Sequence, residues 1–304
     1  MVIHYETFTK FQAQPSRLLL NKLEPGKPQT REVLIKSTNG EPFKIDSISS
    51  KKGYIKVISQ KPSSEGIELT VQVTAPAKKG RTIYFSDELK IKIDDALIIV
   101  DMQNDFIPGG SLPVEGGEQI IEDINQIANF FKKKNAFVIL TQDWHPQNHL
   151  SFASNHQGKS PGDEFTSGNG AIGPVLWPDH CVQNTKGAEF HKDLKINAAD
   201  AIIKKGMNPN IDSYSGFRDN DKKSETRLRD YLNSKKIRRI FVCGLALDYC
   251  CYYTAMDGFE FGYKVYFLVD LTRGIDLPKD NVKNALETMN KTGIKFANIK
   301  SFKW

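Results

Sequence analysis

From Asp95 onward, short and continuously apolar runs alternate with stretches whose apolar residues recur at helical spacing, and this constrains the fold more than any other feature. Residues 96–100 and 136–140 carry no polar interruption, as strands buried on both faces do. Between them Ile120, Ile121, Ile124, Ile127, Ala128 and Phe131 mark one face of a helix. The pattern continues with strands over 201–203, 237–242, 264–269 and 295–299 and helices over 225–232, 249–256 and 281–289. Such alternation predicts an α/β domain over residues 95–304, built on a doubly wound, mostly parallel sheet.

Residues 1–94 follow a different rule. Val33 and Ile35, Phe43 and Ile45, Ile67 to Val73, and Leu89, Ile91 and Ile93 alternate with polar neighbours at the strand period of two. Asn39-Gly40, Lys52-Gly53, residues 62–66 and Lys79-Gly80 are turn signals between them. A small, antiparallel, immunoglobulin-like sandwich is expected, acting as an accessory domain. The whole net charge of +6 resides here, as sixteen Lys and Arg against ten Asp and Glu, while the remaining residues balance. These lysines lack interleaved aromatics, so they read as a solvated sheet surface rather than a nucleic-acid footprint.

The four cysteines include the adjacent pair Cys250 and Cys251 and are too few for a disulfide framework, so free thiols and a reducing, cytoplasmic setting are expected. The longest aliphatic run, residues 96–100, is far too short to span a membrane.

Three chemically capable residues fall at or just past strand ends, where open α/β sheets place their sites: Asp101, Lys205 and Cys250. Cys250 is expected in the first turn of a helix with Asp248 as N-cap, where the helix dipole favours a thiolate. Taken singly, these residues are as readily a capping acid, a solvated lysine and a small buried thiol. Together they can divide the labour of covalent catalysis.

The long connection over residues 143–197 is rich in Gly, Ser, His and Asn. Asp143 and His145, two apart on an extended backbone, and His180 further on suit Zn²⁺, Fe²⁺ or Mn²⁺, although a solvated His-rich loop fits the spacing equally well. His149, His156 and Glu164 are either extra ligands or loop surface. Tyr252, Tyr253, Phe259, Phe261, Cys181 and Cys243 are assigned to packing.

Six segments, IIVDMQNDF (98–106), QDWHP (142–146), WPDHCV (177–182), KKG (204–206), YSGF (214–217) and CGLALDYC (243–250), resemble the nicotinamidase/pyrazinamidase branch of the isochorismatase-like hydrolases in order and spacing. The resemblance covers about residues 95–300 and leaves out residues 1–94. It implies a cysteine amidohydrolase of NAD salvage that converts nicotinamide to nicotinate and ammonia through a thioester, with pyrazinamide as a further substrate. Asp101 would be the general base, Lys205 the charge-balancing cation and Cys250 the nucleophile. The backbone N–H groups of Ala246 and Cys250 would form the oxyanion hole, with a cis Leu245–Ala246 peptide. Asp143, His145 and His180 would hold a divalent metal, most often zinc, that grips the pyridine nitrogen, while Phe106, Trp177 and Tyr214 wall the ring. Tyr249 stands where many relatives carry His.

Two other readings stand beside this one. A sibling amidase would act on another small carboxamide or a ureido compound. A catalytically silent protein would instead recruit a partner through its N-terminal domain. No nucleic-acid or membrane partner is expected, and a homo-oligomer is left open.

Overall fold

The computed structural model describes residues 12–15, 20, 24, 26–37, 45–76, 87, 89–93, 95–134, 136–168 and 170–302. The described residues fall into two compact units, one running from 95 to 300 and the other from 12 to 93 with 301 and 302.

In the N-terminal unit, β1 (Gln12–Gln14), β2 (Pro28–Lys36), β3 (Ile45–Ser50), β4 (Ile55–Ser63), β5 (Gly66–Thr74) and β6 (Leu89–Ile93) are all paired antiparallel. One sheet has the order β1-β2-β5-β4, and β3 pairs with β6 in a second. Leu69, Val71 and Val73 point inward while Glu68, Thr70 and Gln72 stay in reach of water, and Val33, Ile35 and Ile45 complete the core.

Strand β4 is absent from the sequence reading for a physical reason. The register shifts between Val57 and Ser59, where apolar Ile58 is about half exposed and polar Ser59 is half-buried, so the residue types lose an alternation that the strand's burial keeps. Within residues 62–66 only Ser64 and Glu65 turn, since Pro62 and Ser63 end β4 and Gly66 begins β5. Asn39-Gly40, Phe43 and Lys79-Gly80 lie outside the described residues.

The second unit is a six-stranded, wholly parallel sheet. Its strands are β7 (Asp95–Val100), β8 (Phe137–Asp143), β9 (Ala201–Lys205), β10 (Arg239–Leu245), β11 (Lys264–Arg273) and β12 (Lys295–Ala297). The order is β12-β11-β10-β7-β8-β9, so the winding reverses between β7 and β10. Ligands of open α/β sheets bind at such a reversal, beyond the carboxyl ends of the strands.

Ala96 to Val100 are buried on both faces. On one face Ala96, Ile98 and Val100 pack with α2 (Leu228–Ser234), α3 (Tyr252–Glu260) and α4 (Asn281–Thr292), through Leu228, Leu232, Ala255, Leu286 and Met289. α1 (Ile121–Lys133) sets Phe131 edge-on to Phe241 at 5.0 Å, and Phe241 stacks on Tyr266 at 4.9 Å. Each such apolar side chain contributes about 1.5 to 3 kcal/mol on burial.

Helix α2 begins three residues later than the sequence pattern predicts, and the helix expected over 249–256 is preceded by a π turn, Leu247–Cys251. Phe259, expected in the core, is 40% exposed. No helix among the described residues is long and apolar enough to cross a membrane.

Candidate active site

Four polar residues of the site stand at or beyond the carboxyl ends of parallel strands. Asp101 is the first residue past β7, Asp143 ends β8, Lys205 ends β9, and Cys250 follows β10 inside the π turn. The sheet register sets Asp143 directly opposite Lys205, and neighbouring residues of parallel strands project to the same side. Their side chains meet at 2.9 Å between Asp143 Oδ1 and Lys205 Nζ.

The Lys205 ammonium is buried at the centre of the cluster. It donates to Asp143 Oδ1 at 2.9 Å, to the Ser213 carbonyl at 2.8 Å and to Cys250 Sγ at 3.4 Å. Those bonds engage its three hydrogens. Asp101 Oδ2 lies 3.0 Å from the same nitrogen, yet it is buried without an aligned hydrogen bond. One carboxylate oxygen is therefore free to accept a proton, and a carboxylate oxygen of Asp101 lies within 4.8 Å of the thiol sulfur. Asp101 Oδ1 accepts the Thr141 hydroxyl at 2.6 Å.

The charges follow from this packing. Burial works against the lysine cation, but Asp101 and Asp143 outweigh it and hold the Lys205 pKa well above its ordinary value. Burial pushes Asp101 above the usual carboxylate range, and Lys205 opposes the rise. Burial also raises the Cys250 thiol, against the pull of Lys205. The sulfur thus rests as a thiol, so the expected stabilisation of a thiolate by a helix terminus is overridden by desolvation. Proton removal becomes part of the chemistry.

Beside this cluster lie three converging donors. His145 Nε2 is 3.2 Å and His180 Nε2 3.8 Å from Asp143 Oδ2. Their other ring nitrogens are committed, since His145 Nδ1 donates to the Gly206 carbonyl at 2.9 Å and His180 Nδ1 to the Pro178 carbonyl at 2.8 Å. Both bonds commit Nδ1 and turn the Nε2 atom of each ring toward the Asp143 carboxylate. Burial pushes His180 down to about 4, which keeps that imidazole neutral. Burial works against a charged His145 ring, but Asp143 outweighs it and holds that pKa above its ordinary value. Two imidazole nitrogens and a carboxylate in one buried cluster are the donor set of a divalent cation, and they fit one.

Several supporting residues gave no separate signal in the sequence. Gln103 accepts the Asp143 N–H at 2.7 Å and donates to the Asp143 carbonyl at 2.7 Å, which fixes the backbone of that ligand. Thr141 and the Ser213 carbonyl act as described above. Gly206 has φ +69°, and a Cβ there would sit 2.4 Å from His145 Cε1. Gly244 has φ +112°, and a Cβ would strike the Val100 carbonyl where β10 closes on β7. Gln103 and Gly206 stand inside the motif segments, whereas a backbone carbonyl leaves no mark on sequence.

The aromatic residues also gather. Phe106 lies 5.5 Å from the His180 ring. Trp177 Nε1 donates to the Tyr214 hydroxyl at 3.1 Å, and Tyr249 packs edge-on to Trp177 at 4.9 Å and against Tyr214 at 5.2 Å. Tyr214 also meets Tyr253 at 5.2 Å.

The remaining sequence candidates stand aside. His149 packs tilted against His145 at 4.3 Å but bonds Ser151 Oγ and the Ile211 carbonyl through its two nitrogens, so both of its ring nitrogens are already engaged. His156 bonds the Leu150 carbonyl and packs on Phe165, and Glu164 is exposed. Cys181 and Cys243 are buried, and desolvation raises both thiols. Asp248 caps no helix. Its carboxylate instead accepts backbone N–H groups from the loop after β11. The Leu245–Ala246 peptide is cis.

Residues 95–301 match the Isochorismatase domain profile. The chain belongs to the isochorismatase family. It is 44% identical over 200 residues to the nicotinamidase of Acinetobacter baylyi, an alignment spanning 66% of this chain and 90% of that one. The Acinetobacter baumanii nicotinamidase pyrazinamidease structure superposes with a TM-score of 0.65 at 43% identity, covering 68% of this chain and 97% of that one. The Pyrococcus horikoshii pyrazinamidase, solved in complex with zinc, gives 0.56 at 40% identity, over 67% and 99%.

Proposed function

We propose that this isochorismatase-family protein is a metal-dependent cysteine amidohydrolase that converts nicotinamide to nicotinate and ammonia and also accepts pyrazinamide. The observation that carries the reading is the junction of two buried sets: Asp101, Lys205 and Cys250 meet Asp143, which belongs equally to the donor set of His145 and His180. The relatives described above, named for nicotinamide and pyrazinamide hydrolysis, support the substrate class.

In this reading Asp101 Oδ2 takes the proton of the Cys250 thiol, and the sulfur forms a bond to the carboxamide carbon. The oxygen of that carbon gains negative charge, which the N–H groups of Ala246 and Cys250 receive. The C–N bond breaks, the nitrogen takes the proton from Asp101 and ammonia leaves, with a thioester remaining. Asp101 then draws a proton from water, the hydroxide adds to the thioester, and the C–S bond breaks to give the acid while the departing sulfur takes the proton back from Asp101, which restores the thiol and the carboxylate. Lys205 keeps its charge throughout and balances whichever neighbour is anionic.

Asp143, His145 and His180 would hold a divalent cation, zinc by its donor set, whose open position supplies a Lewis acid for a ring nitrogen. Phe106, Trp177 and Tyr214 then wall the ring and fix the carboxamide against the sulfur, an orientation gain that intramolecular reactions show to be large. A sibling amidase without a ring to anchor leaves the imidazole pair unexplained. The four free, buried cysteines suit a reducing, cytoplasmic setting and the place in NAD salvage that this product implies.

Ammonia release from nicotinamide by the full chain, with metal analysis of the same sample, tests the proposal. Cys250→Ala is expected to fold and release no ammonia. Turnover comparable to the parent would refute the nucleophile.

A further inference from the structure

The loop over residues 274–280 between β11 and α4 supplies none of the groups assigned to the reaction, yet together with Asn281 at the start of α4 it is fastened to the two residues that precede Cys250. Asp248 is buried, and its Oδ1 accepts the Ile275 N–H at 2.9 Å. Its Oδ2 accepts the Asp276 N–H at 2.9 Å and the Asn281 side-chain amide at 3.1 Å. The next residue, Tyr249, donates its hydroxyl to the Leu277 carbonyl. The loop comes so close that a Cβ on Gly274 would lie 3.0 Å from Asp248 Oδ1 and 2.3 Å from Val282 Cγ2. On its far side Asp276 Oδ1 accepts the Val282 N–H at 3.0 Å, which ties the loop to the first turn of α4.

A π turn carries Cys250, and at its start the Ala246 carbonyl accepts the N–H groups of both Tyr249 and Cys251. Such wide turns are uncommon and occur mostly at functional sites. From this geometry we infer that Asp248 is a positioning residue for the Cys250 thiol, with the loop over residues 274–280 and Asn281 as its brace. The inference rests on Cys250 being the nucleophile. Two consecutive residues anchored to one loop fix both the rotation and the height of the turn. The sulfur then stays at 3.4 Å from Lys205 Nζ and within reach of Asp101. A purely structural capping role would need no such link between a surface loop and the third residue of the turn.

The test uses Asp248→Asn and Asn281→Ala in the full chain. Asparagine keeps the shape of Asp248 but presents an NH₂ group to a backbone N–H, so one of the two backbone anchors is lost. Displacements of about 1 Å at a reacting atom cost on the order of a hundredfold in rate. Asp248→Asn is therefore expected to lower kcat about 10- to 100-fold while KM and bound metal stay within about twofold, and to slow alkylation of Cys250 by iodoacetamide in step. Asn281→Ala removes one amide from the brace without touching the turn, and a kcat loss of several-fold is expected with the same unchanged KM. A lower Tm with kcat and alkylation rate unchanged in both variants would overturn the inference, as would a rise in KM alone. If Asp248→Asn does not fold, Asn281→Ala decides the matter by the same criteria. Cys250→Ala in the same assay separates the two levels, because turnover by that variant would remove the nucleophile itself.

Discussion

Thr141→Val deletes the hydroxyl that donates to Asp101 Oδ1 at 2.6 Å in a fully buried setting. A hydrogen bond to a charged acceptor contributes about 1.5 to 3 kcal/mol, and about 1.4 kcal/mol corresponds to one pH unit. The hydroxyl favours the carboxylate, so its loss favours the acid. Asp101, already raised by burial, then rises by about one to two further pH units. Only the carboxylate can accept the thiol proton. The acid limb of kcat/KM for ammonia release therefore moves to higher pH by that amount, with the plateau above it nearly unchanged. Thr141→Ser retains the donor and leaves the limb in place. Stability follows the same sign. The extra cost of the ionised carboxylate, about 1.5 to 3 kcal/mol in the variant, is present above the folded pKa and fades as pH falls toward the ordinary carboxylate value. Matching acid limbs for Thr141→Val and the parent would refute Asp101 as the base held by this bond.

Two further outcomes concern the imidazole pair. His180→Ala removes one of three donors, and metal content after dialysis should fall well below one per chain, with KM for nicotinamide rising. Undiminished metal would exclude His180 as a ligand. Gly206→Ala drives a Cβ to 2.4 Å from His145 Cε1 at a backbone angle that disfavours side chains. Weaker metal retention and a loss of about 1 to 3 kcal/mol in chemical denaturation are expected, and normal values of both would show that the His145 ring can shift freely.

Much of this architecture was legible because burial on two faces leaves no choice of side chain. Residues 96–100 had to be a central strand, and once that run and a second at 136–140 alternated with helices and further strand-like segments, the parallel sheet followed. The reactive residues were legible as types within recognisable segments, but their charge states were not. Helix position argued for an ionised Cys250, whereas the desolvation imposed by its surroundings raises the thiol instead. Asp248 shows the same limit. An acid before a helix suggests a cap, yet its partners are N–H groups of Ile275 and Asp276, 27 and 28 residues away in sequence, which no local rule could supply. Strand β4 is not legible because an apolar Ile58 on its exposed side and a polar Ser59 on its inner side contradict the period on which strand reading depends.

The Lys205 ammonium stands between the carboxyl oxygen of Asp101 and the sulfur of Cys250, at 3.0 and 3.4 Å. A proton passing from one to the other moves negative charge across a cation that already touches both. The interior then holds the same total charge before and after the transfer, and no counter-ion need enter or leave. That transfer is electrically silent to the surrounding solvent, so added salt should leave deprotonation of the thiol nearly unchanged.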